Sequence, residues 1–240
     1  MQQYFVDYKV KENDVIELDD DVIYHLKKVL RKDSSYNFRI VDNNSDVFLA
    51  SLKDNNKCLI KEKINENNEL DCDITCILSL IKMDKFELTI QKLVELGVKT
   101  IVPYDATRSV VKIKDNKKLD RLRKIIKEAA EQSHRNIIPT LENVATIKDL
   151  NKYLSLDNYI CYESEDNIAD IISNKTITYI IGPEGGFEDK EYKKICELGF
   201  KSISLGKRIL RAETAAIYMT SVIVSKCQWK HIQCRYLAVK

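Results

Sequence analysis

The sequence predicts an α/β protein with a mostly parallel sheet in its larger, C-terminal part, preceded by a small antiparallel sheet or barrel. Three observations carry this. Short alternating runs parted by Asp/Asn-rich turns fill the first 70 or so residues. Strand-like and helix-like runs alternate after that. Glycine-bearing turns sit at the ends of two late strands.

In the first part, "YNFRIVD" and "DVFLASL" alternate apolar and polar residues and are bounded by "DNNSD" and "KDNNK", the pattern of short strands joined by tight turns. "NENNELD" (Asn65–Asp71) reads as a polar linker, which divides the chain into domains 1–71 and 72–240. "DITCILSLI" then gives a buried strand. "DKFELTIQKLVELGV" follows as an amphipathic helix with Phe86, Ile90, Leu93 and Val94 on one face and Gly97 at its end. "TIVPYD" is the next strand, and Lys118–His134 a second amphipathic helix with Leu122, Ile125, Ile126 and Ala129 facing inward. Strands "DNYICYE", "TITYIIG" and "SISLG" come next with helices between them. The last helix, about Leu210 to Ser225, is apolar nearly all round and calls for cover by protein or by a partner subunit. Such alternation places helices on both faces of a parallel sheet.

Composition adds bounds. With 240 residues there is room for one or two domains with a real core, and a net charge of +2 selects no partner by itself. The N-terminal "MQQYFVDYKV" is no signal peptide, and the longest apolar stretch falls short of the roughly 20 residues of a membrane helix. With seven cysteines, an odd number, these features fit reduced thiols in a cytoplasmic protein. Cys72 and Cys76 share a strand face as buried thiols, and Cys227, His231 and Cys234 match no zinc-ligand spacing, so no metal is expected.

The glycines carry the functional signal. Of six in the chain, three lie in Gly182–Gly186, within "TYIIGPEGGFEDKEY", and another, Gly206, is the second residue of "LGKRILRAETAA". In open α/β sheets ligands bind beyond the carboxyl ends of strands, and bare backbone there permits close approach. Neither loop has a dinucleotide or phosphate-loop pattern, and Glu184 would repel a phosphate. A carboxylate beside bare backbone suits an adenosine carrying a positive centre, which is the form of S-adenosylmethionine. Tight turns with no ligand are the plain alternative. That alternative would leave a non-catalytic RNA-binding module; a nucleotide-dependent enzyme is a third reading.

Together, "IGPEGGF…E…LGF…SLGKRILRAETAA", "QKLVELGVKTIVPYDATRSVVK" (Gln91–Lys112), "EAAEQSHRNIIP" (Glu128–Pro139) and "HLKKVLR" (His25–Arg31) resemble the RsmE family, the uridine-N3 methyltransferases of 16S ribosomal RNA. The chain departs from that pattern at "RKDSSYNF", where members usually carry Gly-Asp after "VLR". The resemblance implies a PUA-like β-barrel over 1–71, a trefoil-knotted SPOUT methyltransferase domain over 72–240, a homodimer with sites at the subunit interface, and the small ribosomal subunit as partner. It also implies that S-adenosylmethionine lies among three loops, represented here by Tyr162 and Glu163; by Ile181, Gly182, Glu184 and Gly186; and by Leu205, Gly206, Ile209 and Leu210.

For the chemistry, Arg211 is the candidate to stabilise a developing uracil anion and Glu213 a candidate proton acceptor; Glu213 reads equally as a helix-start carboxylate. Residues 108–135 hold ten Lys/Arg against four Asp/Glu, which makes Arg108, Arg121 and Lys124 RNA-contact candidates; Gln132 and Arg135 belong to the family-like "EQSHR" motif, and the resemblance implies an RNA or active-site role for them. Residues 1–71 are net acidic, with eleven Lys/Arg against fifteen Asp/Glu, yet Lys27, Lys28, Arg31, Lys32 and Arg39 cluster against Asp33 alone and are expected to touch RNA.

Overall fold

The computed structural model describes residues 1–53, 56–113, 115–163 and 175–237, with side chains of the last helix described as far as Cys227. It divides into two compact units. The first is Met1–Glu69 with Ala130–Ile137, and the second is Leu70–Ala129 with Ile138–Lys240.

The first unit is built on a five-stranded sheet of β1 (Gln3–Phe5), β2 (Val15–Glu17), β3 (Asn37–Val41), β4 (Val47–Leu52) and β5 (Lys57–Ile64), in the order β1-β3-β4-β5-β2. All pairings are antiparallel except β1 with β3. Alternation along β3 sends Phe38 and Ile40 into a core shared with Leu26, Phe48, Leu52 and Ile60. Leu26 comes from "HLKKVLR", where α1 (Asp20–Tyr24) runs directly into a π-helical turn, His25–Val29. The "RKDSSYNF" segment turns without glycine: Arg31 has φ +52° and Ser35 φ +92°.

Residues 130–137 belong to this unit because of specific polar contacts. Glu69 accepts from Arg135 Nη2 (2.6 Å) and from the Asn136 amide (2.8 Å). Asn136 donates from its side chain to the Glu66 carbonyl (2.9 Å), and Gln3 donates to the Arg135 carbonyl (2.7 Å). The single cut after residue 71 expected from the linker composition does not contain this return of the chain.

The second unit has a six-stranded, wholly parallel sheet: β6 (Asp73–Ser79), β7 (Thr100–Tyr104), β8 (Thr140–Leu141), β9 (Asp157–Cys161), β10 (Thr176–Ile181) and β11 (Lys201–Ile203), ordered β11-β9-β10-β6-β7-β8. The β-branched runs of β6 and β10 lie at its centre, buried on both faces, as continuous apolar strands require. The helices are α2 (Met83–Glu95), α3 (Asn116–Gln132), α4 (Asp189–Glu197) and α5 (Ala212–Leu237). On α2 the four expected residues are fully buried; on α3 Leu122, Ile126 and Ala129 are buried and Ile125 is partly exposed.

Two expectations are corrected here. The last helix continues well past Ser225, and Cys72 precedes β6 and is disulfide-bonded to Cys227 of α5 rather than sharing the β6 face with Cys76 as a free thiol. The longer helix is the physical reason, because it brings Cys227 to the amino end of β6. Cys76 is a buried free thiol, and burial pushes its pKa up to about 12. The side chains of His231 and Cys234 lie outside the described ones. Among the described residues no helix is long and apolar enough to cross a membrane.

Candidate active site

Strands β9, β10 and β11 are neighbours, so the turns that follow them meet at one edge of the sheet. They enclose a cavity of about 250 Å³. Its walls include Tyr162 and Glu163 after β9; Ile181, Gly182, Glu184 and Gly186 after β10; and Leu205, Gly206, Ile209, Leu210 and Arg211 after β11. The structure thus brings together every residue expected to face the cofactor. Glu213 is in the first turn of α5 and does not line the cavity; there its charge complements the positive end of the helix.

Backbone conformation explains one glycine in each loop. Gly186 has φ +66° and Gly206 φ +111°, values that residues with a Cβ adopt at a cost. A Cβ on Gly186 would stand 2.6 Å from Glu163 Oε1, whereas one on Gly206 would meet no atom within 4 Å. The first loop is therefore packed against the Glu163 carboxylate, and the second borders open space.

The charges around the cavity are mixed. Glu163 and Glu184 face Lys207, Arg208 and Arg211, which line the same cavity. Among the described residues none of these three cations has an ion-pair partner. Glu184 has a second role: its Oε1 accepts from the backbone amide of Lys82, the residue that precedes α2 (3.3 Å). Tyr162 is stacked on Tyr192 of α4 with ring centroids 4.1 Å apart, which fixes the aromatic wall. Cys161, Ser204, Lys207 and Arg208 are wall residues beyond those expected. Their signal was adjacency to the glycine loops, since a turn that cradles a ligand presents consecutive residues.

The donor set fits a molecule with a neutral, amide-reading part and a positive centre: bare backbone at two turns, two carboxylates and a fixed aromatic ring. It does not have the serine or threonine of a nucleoside-triphosphate loop beside Lys207.

The expected RNA contacts divide. Lys28, Arg31, Arg108, Lys124 and Gln132 are exposed, and Lys27 donates to Asn56 Oδ1 (3.1 Å). Arg108 Nη1 donates to the Gly185 carbonyl (2.9 Å), which ties it to the first glycine loop. Arg121 is exposed but makes a two-point pair with Glu87 (2.7 and 2.9 Å). Arg135 does not join that surface: it is 4% exposed and paired with Glu69. Arg39 likewise leaves the basic cluster of the first unit, being buried with Nη2 2.9 Å from Glu66 Oε2.

Comparison with known proteins agrees with this geometry. Residues 68–224 match the family described as RNA methyltransferase domain. A ribosomal RNA small subunit methyltransferase E from Mesomycoplasma hyopneumoniae is 38% identical over 95% of this chain and 99% of its own length. The chain belongs to this methyltransferase family. The Bacillus subtilis relative of the same name is 32% identical over 93% of this chain and 96% of its own. A crystal structure of the Neisseria gonorrhoeae family member, bound to S-adenosylmethionine, superposes with a TM-score of 0.87 at 28% identity, covering 94% of this chain and 97% of that one.

Proposed function

We propose that this chain uses S-adenosylmethionine to methylate N3 of a uridine in the 16S ribosomal RNA of the small ribosomal subunit. The observation that carries the proposal is the convergence of the three turns after β9, β10 and β11 on one cavity, with bare backbone on two of them. When bound, the cofactor supplies an electrophilic methyl group on a positively charged sulfur.

The chain's own residues do the rest. Backbone at Gly182, Gly186, Leu205 and Gly206 receives the adenosine part, and Tyr162, Ile181, Ile209 and Leu210 give it apolar cover. Glu163 and Glu184 place negative charge beside the positive centre. Arg211, permanently cationic, stabilises negative charge that develops on the uracil as its N3 proton passes to water. Transfer then depends on alignment, which a rigid sheet edge provides. Lys27, Lys28, Arg31, Arg108, Arg121, Lys124 and Gln132 supply salt-sensitive contacts to RNA phosphates and bases. In this reading the first unit is a PUA-like RNA-binding domain and the second a trefoil-knotted SPOUT domain. The chain works as a cytoplasmic homodimer: the outer side of α5, where Tyr218 is 49% exposed, is the surface a second copy would cover.

The test is transfer of labelled methyl groups to small subunits that lack the modification, followed by digestion to nucleosides. The expected product is labelled 3-methyluridine. Label on a ribose, on another base, or on no nucleotide overturns the proposal.

A further inference from the structure

Glu191, in the first turn of α4, is a buried carboxylate to which the reaction as described gives no task. Its Oε1 accepts two hydrogen bonds, from the Tyr104 hydroxyl at the carboxyl end of β7 (2.7 Å) and from the backbone amide of Thr107 (3.0 Å). Burial first, and then the bond to Glu191, pushes the Tyr104 hydroxyl well above its ordinary pKa, so it remains a donor. Thr107 is the second residue of a tight turn closed by the Ser109 amide on the Ala106 carbonyl (3.0 Å). The third residue of that turn is Arg108, whose guanidinium reaches the Gly185 carbonyl. One segment, Ala106–Ser109, is therefore held twice: by Glu191 just beyond the glycine loop, and by Gly185 within it.

Burying a carboxyl group is costly unless it is bonded, and here Oε1 carries both bonds while Oε2 is buried without a partner among the described residues. A packing role alone would be filled as well by an apolar side chain, which raises the question of what the carboxylate orders. The geometry points to Glu191 as a positioning residue that fixes the Ala106–Ser109 turn and so holds the Arg108 guanidinium against the first glycine loop. The Gly185 carbonyl that Arg108 holds belongs to the residue between Glu184 and Gly186, both walls of the cavity, so the turn and the cavity wall are coupled through one contact. The inference rests on the methyl-transfer reading and adds to it how an exposed arginine on a turn acquires a fixed place.

Two variants separate positioning from folding. Glu191→Ala removes the acceptor but strands the buried Tyr104 hydroxyl. Thr107→Pro deletes the donor amide together with an exposed side chain; proline suits the second residue of such a turn, and the Tyr104–Glu191 bond survives. Each is expected to slow single-turnover methyl transfer by about tenfold or more, with affinity for S-adenosylmethionine changed by less than about threefold. Glu191→Gln keeps an acceptor oxygen and is expected to retain most of the rate. Amide exchange at Thr107 should accelerate in Glu191→Ala and hardly in Glu191→Gln. Combining Arg108→Ala with either damaging variant should give no further loss, because both act through one group.

Multiplicative losses in the double variants, or a full rate for Thr107→Pro with rapid exchange in the turn, overturn the inference while leaving an active methyltransferase. A wild-type protein that transfers no methyl group to small subunits sinks the functional proposal, and this role with it.

Discussion

Arg135 in the first unit is buried against Glu69, whereas Arg211 in the second is an exposed cavity wall with no ion-pair partner among the described residues. Their surroundings differ in the same way. Around Arg135 the Glu69 carboxylate accepts from its guanidinium and from the Asn136 backbone amide, and the Gln3 side chain donates to its carbonyl. Around Arg211, Lys207 and Arg208 add like charge, and two glycines hold left-handed backbone. A cation whose partners lie inside the fold serves the fold. A cation held without a partner at the edge of a parallel sheet is available to something that arrives.

The largest effect should come from breaking the closed arrangement. Arg135→Ala leaves Glu69 without its partner and is expected to cost about 3 kcal/mol, the lower end for a broken buried pair because Glu69 is only partly enclosed. Urea unfolding of the full chain measures this; a midpoint equal to wild type would mean the pair contributes nothing.

The reverse result is expected at Arg211. Arg211→Ala should leave unfolding unchanged and lower single-turnover methyl transfer by about a hundredfold, the scale of losing one group that stabilises a developing anion. Loss of stability with little loss of rate would erase the contrast between the two arginines.

Gly186→Ala should act more mildly. The left-handed φ costs an alanine about 1 kcal/mol, and the Glu163 carboxylate can rotate away from the new Cβ. The expected result is several-fold weaker binding of S-adenosylmethionine by calorimetry; unchanged affinity would remove this loop from the site.

The smallest effect is on the pH dependence of the first unit. Hydrogen bonds from Asn68 and then from Arg39 hold the Glu66 carboxyl below its ordinary range. Its contribution is therefore complete above the unfolded pKa of about 4.3 and is lost as the pH falls through the lower folded value. Glu66→Gln should flatten the urea midpoint between roughly pH 5 and pH 3, and an unaltered profile would contradict this.

What the sequence disclosed follows the same division. The central strands were legible because β6 and β10 are rich in β-branched and apolar residues, and the cavity because three of six glycines sit in one turn. Periodicity also identified α2 and α3 to within a few residues. The chain's return at Ala130–Ile137 was not legible, because it depends on hydrogen bonds to Glu69 and from Gln3 across long sequence separations. Arg135 therefore read as one more cation in a basic run. The Cys72–Cys227 pair, 155 residues apart, leaves no local pattern, and the polar stretch after Ser225 hid the length of α5. Nothing in the sequence singled out Glu191, since Tyr104 and Thr107 reach it only in the folded sheet.

The central claim is that the turns after β9, β10 and β11 form a seat for S-adenosylmethionine. Titrating that compound into the wild-type chain by calorimetry tests it most directly. Saturable heat that reaches an endpoint, and that ATP does not displace, is the predicted result; absence of heat, or displacement by ATP, would contradict it.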